Sequence, residues 1–159
     1  MAVTVTLADL AHPGFAALVD RHAEFCAGTA PAESQHRLER DELAAPDITV
    51  WQASVDGQLV GMAALKALGP LGGEVKSMHT VAEARGQGVG EALLSTIKTA
   101  GRQRGYPALW LETGAHPDFD RARKFYAANC FEETPPFGTY RLDPHSVFMT
   151  CTLAGTKEG

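Results

Sequence analysis

The sequence has few cysteines, and their placement is unlike that of a metal site or a disulfide framework. Cysteines occur at positions 26, 130 and 151 of 159 residues, far apart and without a C-x-x-C pair. Zinc ligands usually come in closely spaced pairs, and disulfide-rich domains carry an even and dense set of cysteines. The sequence therefore predicts reduced thiols and no metal.

Long apolar runs and an excess of positive charge are also missing. No apolar stretch approaches the roughly 20 residues that a membrane-spanning helix needs, and the start MAVTVTLADL lacks the basic region and apolar stretch of a secretory signal. Lysine and arginine number 14 against 19 acidic residues, a net charge of −5, whereas nucleic-acid binders normally present a basic face. We therefore expect a cytoplasmic protein with no membrane and no nucleic-acid partner.

What is present is the composition of an ordinary globular domain, 45% hydrophobic and 21% charged, and we expect one domain over 1–159. Periodicity and turn signals predict strands at 3–7, 48–55, 58–65, 74–81, 108–113 and 146–153, and helices after His12-Pro13 and at 33–43, 88–104 and 119–128. Asp56-Gly57 is a hairpin signal between two of the strands. This order indicates an α/β or α+β domain around one mostly antiparallel sheet with a strand-helix-strand crossover.

Three glycines at alternate positions mark the turn ARGQGVGEALL at 84–94. A Walker A loop needs G-x-x-x-x-G-K-[ST], and no Lys-Ser or Lys-Thr follows these glycines. A Rossmann fingerprint needs a further glycine where the chain has Glu91 or Leu93. The sequence therefore contains neither nucleotide-binding motif.

The turn nevertheless has the chemistry of an anion site. Missing side chains at 86, 88 and 90 let backbone N–H groups approach a ligand, and the start of the next helix adds unpaired donors and a positive dipole end. Arg85 could add a charge-assisted contact of roughly 1.5–3 kcal/mol. Tight strand-to-helix packing explains the same glycines, so the residues alone leave both interpretations open.

Two stretches of the chain carry a resemblance to a known family. EVKSMHTVAEARGQGVGEALL at 74–94 resembles the signature of the GNAT superfamily of acetyl-coenzyme A-dependent N-acetyltransferases, R/Q-x-x-G-x-G/A after a central strand, met here by Arg85, Gly88 and Gly90. ARKFYAANCF at 122–131 is similar to the second family marker, a helix with A-x-x-L/F-Y. The resemblance implies a GNAT-type fold, a mixed, mostly antiparallel sheet of about six to seven strands with about four helices.

The same resemblance implies acetyl-coenzyme A as the cosubstrate and assigns residues to it. Main-chain N–H groups in the glycine turn would bind the pyrophosphate, and the exposed edge of the central strand would pair with the pantetheine arm and polarise the thioester carbonyl. The residues implied are Met78, His79, Thr80, Arg85, Gly86, Gln87, Gly88, Val89 and Gly90. The assignment is physically sound, because pantetheine carries amides that an unpaired strand edge can bind.

The chain departs from the family pattern at several positions. Ala82 stands where a proline commonly follows the central strand, and the frequent asparagine before the second marker helix has no clear counterpart at 118–120. Cys130 replaces the glycine that usually ends that helix, preceded by Asn129. Asparagine tolerates the left-handed conformation, so we expect the helix cap to move to it.

Acetyl transfer to an amine needs a base for the amine proton and profits from an acid for the departing thiolate. By resemblance Tyr126 is the acid, and Glu74, at the start of the central strand, is the first candidate for the base. Glu112, His79 and His116 are alternatives, and ordered water could replace a dedicated base. On a regular strand Glu74, Lys76, Met78 and Thr80 share one face and Val75, Ser77, His79 and Val81 the other, unless a bulge intervenes.

The acceptor is expected to be the primary amine of a small molecule, an amino acid or an amine-like metabolite. Phe137, Tyr140 and Arg141, in the proline-rich loop TPPFGTYRLDPHS, could line its entrance, and Arg141 could bind a carboxylate. Transfer should be direct, because no cysteine has a base beside it. Protein or peptide acceptors and a silent coenzyme A-binding sensor module are the alternatives. Exposed strand edges favour a homodimer.

Overall fold

The computed structural model of the chain describes residues 2–27 and 42–153. The helix predicted at 33–43 falls almost wholly outside these ranges, and its last residues belong to a 3-10 turn, Glu42–Ala44. Within the described residues, no helix combines the length and the apolarity needed to cross a membrane.

One sheet of seven strands organises the described part of the chain. The strands are β1 Val3–Leu7, β2 Ile48–Val55, β3 Gln58–Ala67, β4 Gly73–Thr80, β5 Ala108–Gly114, β6 Glu132–Glu133 and β7 Ser146–Thr152, in the order β1-β2-β3-β4-β5-β7-β6. The α-helices are α1 Pro13–Ala27, α2 Val89–Gln103 and α3 Asp120–Ala128. All strand pairs are antiparallel except β4 with β5. The predicted mixed, mostly antiparallel sheet is confirmed, with three α-helices in the described residues rather than about four.

The hairpin between β2 and β3 forms where its turn signal predicts it. Asp56 and Gly57 both have positive φ, 52° and 81°, the conformation that a two-residue turn of this kind requires. Pairing of β2 with β3 then places the hydrophobic residues of β3 in the core of the sheet.

The helices lie on the two faces of the sheet. Val89, Leu93, Leu94 and Ile97 of α2 are buried, and a Cβ added to Gly61 of β3 would lie 2.8 Å from the Val89 side chain. Because side chains alternate along a strand, the residues next to Gly61 on β3 point to the opposite face of the sheet. There α1 packs against β3 and β4 through buried apolar residues, Phe15, Leu18 and Val19.

Strands β4 and β5 separate soon after they meet. Their pairing consists of Gly73 with Leu109 and Glu74 with Trp110, although β4 continues to Thr80 and β5 to Gly114. An opening between the two strands follows from Glu74 onward. Within the described residues, no strand pairs with the edge of β4 that faces this opening, so its backbone groups are available to a ligand.

A β-bulge interrupts β4 and changes which side chains share a face. Met62 of β3 pairs with His79, and Ala64 pairs with Lys76, so three steps along β4 match two steps along β3. Ser77 takes a positive φ of 55° at this point. The bulge brings His79 to the same face as Lys76 and Glu74. The alternation expected for an uninterrupted strand is therefore wrong beyond Lys76.

The end of α3 differs from the expected cap. Asn129 has φ −111°, and Cys130 itself takes the left-handed conformation with φ 77°. Asn129 is the C-cap residue, as expected, but the expectation that it takes the left-handed conformation is wrong, because Cys130 takes it instead. The Asn129 side chain instead donates its amide N–H to the Phe125 carbonyl at 2.8 Å, which occupies it at the end of the helix.

Candidate active site

A cavity of about 430 Å³ lies in the opening between β4 and β5. The start of α2, the end of α1 and the first turns of α3 complete its walls. One end reaches the glycine turn and the other reaches Glu74 and Glu112. The cavity thus crosses the sheet from the α2 face to the α1 face through the gap where the strands separate.

The glycines of the turn serve two different physical needs. Gly86 and Gly88 have φ of 83° and 82°, the left-handed region, and a Cβ on either would meet nothing within 4 Å. These two glycines allow the left-handed backbone conformation, and a side chain at either position would project into open space. Gly90 is different, because a Cβ there would lie 3.2 Å from the Phe125 ring. Its role is close packing of α2 on α3.

The turn and the start of α2 form a cradle of backbone N–H donors. Gly88 caps α2 without a side-chain hydrogen bond, so the first amides of the helix keep their N–H groups for a ligand. Arg85, Gly86, Gly88, Val89 and Gly90 all line the cavity. Gln87 is exposed and is not among the lining residues. The cradle therefore fits a diphosphate bound by main-chain groups with an arginine beside it.

The free edge of β4 forms the middle of the cavity. Met78, His79 and Thr80 line it, and they lie beyond the last pair between β4 and β5. Backbone N–H and C=O groups on an unpaired strand edge can bind an extended, amide-bearing ligand. The pantetheine arm of a coenzyme is such a ligand.

Tyr126 lies in the cavity wall on α3 and is 6% exposed. Its ring packs against Phe125 and Phe131 with centroids 5.4 and 5.5 Å away. Burial raises the pKa of the Tyr126 hydroxyl above its ordinary value of 10.0, because the phenolate is poorly solvated there. The phenol therefore keeps its proton at neutral pH and can act as a proton donor.

Glu74 lies at the α1 face of the cavity, 3% exposed, in a network of three side chains. Tyr140 donates its hydroxyl to Glu74 Oε2 at 2.5 Å, and Lys76 Nζ donates to the same oxygen at 3.2 Å and to Tyr140 Oη at 3.0 Å. Lys76 follows Glu74 by two residues, so both point to one face of β4. A buried carboxylate requires such partners. The two-residue spacing of Glu74 and Lys76 was the signal in the sequence that the lysine could be one of them.

An aromatic cluster holds the loop between β6 and β7 against the network. Phe137 packs on Trp110, Tyr140 and Phe148 with ring centroids 5.1–6.0 Å apart. Burial, followed by the nearby Glu74 carboxylate, raises the pKa of the Tyr140 hydroxyl. Arg141 is exposed and does not line the cavity. The loop therefore contributes Tyr140 to the Glu74 network, whereas Phe137 packs and Arg141 faces solvent.

Comparison with known proteins gives the family. The sequence model of the acetyltransferase (GNAT) family matches residues 15–130, well over half of the chain. The chain belongs to the GNAT acetyltransferase family. It is an acyltransferase, and the resemblance in the glycine turn and the α3 marker is confirmed.

Two relatives of this GNAT acetyltransferase cover nearly its whole length, and a third covers three quarters of it. The uncharacterized N-acetyltransferase YedL of Escherichia coli strain K12 is 37% identical over 98% of both chains. The uncharacterized N-acetyltransferase YsnE of Bacillus subtilis strain 168 is 39% identical over 94% of this chain and 99% of its own. The IAA acetyltransferase of Azospirillum brasilense is 41% identical over 75% of this chain and 77% of its own. N-acetyltransferase activity is thereby supported.

Solved structures agree with the fold. A Klebsiella pneumoniae protein assigned as an acyl-CoA N-acyltransferase superimposes with a TM-score of 0.77 at 28% identity, over 95% of this chain and 97% of that one. The PaiA N-acetyltransferase of Thermoplasma acidophilum, solved in complex with coenzyme A, gives 0.73 at 17% identity, over 96% and 99%. Both superpositions support the GNAT-type fold of the chain.

Two histidines meet in the wall of the acetyltransferase cavity. Nδ1 of His22, on α1, lies 3.3 Å from Nδ1 of His79, on β4, with ring centroids 5.1 Å apart. Burial first, then the positive charges of Arg85 and Arg21, lower the pKa of His79 from 6.5 to about 4. His79 is therefore neutral at pH 7.

The low pKa of His79 predicts a loss of stability in mild acid. The unfolded chain binds a proton at His79 below pH 6.5, and the folded protein resists it until about pH 4, so proton uptake favours unfolding in this window. We expect the free energy of unfolding to fall by on the order of 2 kcal/mol between these pH values because of this residue.

Urea denaturation of the parent and of His79→Gln at pH 7, 6, 5 and 4 measures this contribution. Carboxylates lower stability in both proteins as the pH falls, so the comparison isolates the ring. The variant should show the shallower decline, and parallel pH profiles would contradict the assignment.

The remaining candidates for a base occupy different positions. Glu112 lines the cavity and accepts a hydrogen bond from Ser146 Oγ at 2.7 Å. His116 does not line the cavity; its Nδ1 accepts the Asp118 backbone N–H at 3.0 Å and caps a 3-10 turn. The structure therefore brings Glu74, Glu112 and His79 together at the cavity, whereas His116 lies outside it and caps the 3-10 turn.

Proposed function

We propose that this acetyltransferase transfers the acetyl group of acetyl-coenzyme A directly to the primary amine of a small molecule, an amino acid or an amine-like metabolite. The observation that carries the proposal is the continuous cavity that joins the donor cradle of α2 to the buried Glu74 through the gap between β4 and β5. Two reactants can meet in such a passage from opposite faces of the sheet.

The chain's own groups suffice to hold the cosubstrate. The first amides of α2 and the Arg85 guanidinium would bind the diphosphate, and the edge at Met78, His79 and Thr80 would pair with the pantetheine amides. This arrangement brings the thioester to the centre of the cavity. Of the residues predicted to bind the cosubstrate, Gln87 would contribute its main chain alone, because its side chain is exposed.

The proposed proton movements use two of the ionisable groups in the wall, Glu74 and Tyr126. Glu74 accepts a proton from the amine, whose nitrogen forms a bond to the thioester carbonyl carbon. The carbon–sulfur bond then breaks, and Tyr126 gives its proton to the departing thiolate. Cys130 is exposed and Cys151 is buried with a raised pKa, and neither lines the cavity. Direct transfer without an acetyl-enzyme is therefore the mechanism that we propose.

The size of the cavity supports a small acceptor. A volume of about 430 Å³ lies within the roughly 300–1,000 Å³ typical of small-ligand sites. The Azospirillum brasilense relative is named an IAA acetyltransferase, a further indication of a small substrate. A protein or peptide acceptor is the first alternative, and a catalytically silent sensor of coenzyme A is the second.

A panel of amino acids, amines and peptides, assayed by coenzyme A release, tests the proposed function. With the best small amine, Glu74→Gln should lower kcat by about 100-fold, as expected for loss of a general base, with the affinity for acetyl-coenzyme A unchanged. Glu112→Gln is the matched control, because it neutralises a second carboxylate of the same wall, and it should keep kcat within a few-fold.

The outcomes separate the alternatives. Turnover of peptides alone would replace the small acceptor by a protein. Binding of acetyl-coenzyme A without turnover of any amine would favour the sensor module. A fall in kcat for Glu112→Gln larger than that for Glu74→Gln would move the base to β5.

Several broader expectations accompany this proposal. They are one domain over 1–159, a location in the cytoplasm, the absence of a metal and of nucleic-acid partners, and a homodimer. Each of them stays a prediction. Strand β1 is an edge of the sheet in the described residues and offers one surface for a dimer.

A further inference from the structure

Ser77, one of the residues that line the cavity, has an unusual backbone conformation. It lies in the bulge of β4 with φ 55° and belongs to the cavity lining. The left-handed conformation is less favourable than the ordinary ones for a residue with a Cβ. Backbone strain of this kind is concentrated at functional sites, where the surrounding structure enforces it. The bulge thus holds Ser77 in a fixed and unfavourable geometry.

The hydroxyl of Ser77 is buried without a partner. Its Oγ is shielded from solvent and makes no hydrogen bond, and it is the one buried side-chain oxygen or nitrogen of which this holds within the described ranges. A buried hydroxyl that makes no bond costs free energy, and native proteins rarely leave one unsatisfied. A ligand that supplies an acceptor would remove this cost.

The position of Ser77 along β4 indicates which part of the cosubstrate lies beside it. Glu74, the proposed base, precedes it by three residues, and the edge from Met78 to Thr80, assigned to the pantetheine arm, follows it directly. The acetyl group is the part of the cosubstrate between the pantetheine and the attacking amine. The carbonyl oxygen of the acetyl group can accept a hydrogen bond, and the Ser77 hydroxyl has no acceptor.

We propose that the Ser77 hydroxyl, turned into the cavity about its Cα–Cβ bond, donates a hydrogen bond to the carbonyl oxygen of the acetyl thioester. The inference rests on the proposed function and adds a side-chain donor to the backbone amides of the strand edge. Negative charge develops on that oxygen as the amine nitrogen bonds to the carbon, and the bond from Ser77 strengthens with it. Ser77 keeps its proton and forms no covalent bond.

Two substitutions remove the hydroxyl in different backbone contexts. Ser77→Ala keeps a Cβ at the positive φ, and Ser77→Gly also relieves the conformation, so a shared effect belongs to the hydroxyl. Both should lower kcat by roughly 10- to 100-fold, in line with loss of one hydrogen bond to a developing charge. Ser95→Ala on α2, exposed and outside the cavity lining, is the control and should leave kcat unchanged.

Calorimetry with acetyl-coenzyme A and with coenzyme A adds a readout that needs no acceptor amine. Because coenzyme A has no acetyl carbonyl, both Ser77 variants should bind it as the parent does, while their affinity for acetyl-coenzyme A falls about 3- to 10-fold, as for loss of a neutral hydrogen bond. The melting temperature of Ser77→Ala without ligand should equal or exceed that of the parent, because an unsatisfied buried group is gone.

Different failures point to different errors. Equal loss of affinity for both ligands would move the contact to the pantetheine arm and overturn the inference. Parent-like kcat and affinity in both variants would also overturn it, as would a lower melting temperature that accounts for the loss of activity. If the parent itself turns over no amine yet the affinity difference appears, the proposed function fails and the contact with the acetyl group stands.

Discussion

Replacing Tyr126 with phenylalanine is expected to lower kcat by about 100-fold or more, the range found for loss of a positioned general acid. The variant keeps the aromatic ring that packs against Phe125 and Phe131 and removes only the proton donor. Burial raises the pKa of this hydroxyl, so the parent enzyme holds the proton throughout the neutral range. The affinity for acetyl-coenzyme A should change little, because the proton is needed only as the carbon–sulfur bond breaks.

Steady-state kinetics with the best amine from the panel and calorimetry with acetyl-coenzyme A measure the two halves of this prediction. Tyr106→Phe is the matched control, since Tyr106 packs beside Gly73 and Gly101 and does not line the cavity. A Tyr126→Phe enzyme with half the parent kcat would remove Tyr126 from the proposed mechanism and leave the thiolate to be protonated by water.

Replacing Gly88 with alanine is expected to raise the KM for acetyl-coenzyme A by about 100-fold. The added methyl group would enter the empty space above the turn and displace the diphosphate from N–H donors, each worth roughly 1.5–3 kcal/mol toward a charged group. The positive φ of 82° adds roughly 1–2 kcal/mol of backbone strain to the folded protein. Both effects act on the same residue and must be separated.

Gly57→Ala separates them. Gly57 has φ 81°, and a Cβ there also meets nothing within 4 Å, but it lies in the turn between β2 and β3 and outside the cavity at the glycine turn. Thermal unfolding should show similar losses of stability in the two variants. Only Gly88→Ala should lose affinity for the cosubstrate. Equal KM values in the two variants would show that the start of α2 does not bind the diphosphate.

The glycine turn was predictable from the sequence because its conformation is local. Arg85, Gly88 and Gly90 stand within six residues, and the positive φ of Gly88 is a property of the turn itself. The strand, turn and helix around them follow from hydrophobic periodicity, and the sheet follows from the hairpin and the order of the elements. The residues alone left anion binding and close packing open for these glycines; Gly90 packs against Phe125 and also lines the cavity.

The acceptor half was less predictable because it depends on distant residues. Glu74 remains a predicted base, and its partner Tyr140 lies 66 residues away. An aromatic cluster from β5, β7 and the loop between β6 and β7 positions Tyr140. The bulge at Ser77 decides the face of His79, and no glycine or asparagine marks it in the sequence. Arg141 is exposed in the structure, which shows that the type of a loop residue does not determine whether its side chain points toward the cavity or toward solvent.

The short pairing of β4 with β5 has a mechanical consequence. Within the described residues, two residue pairs join the backbone of β1–β4 to that of β5, β6 and β7 at this seam. A cosubstrate bound as we propose, along the β4 edge and against α3, would bridge the seam. We expect its binding to stiffen the protein there and to hold the two reactants at a fixed separation.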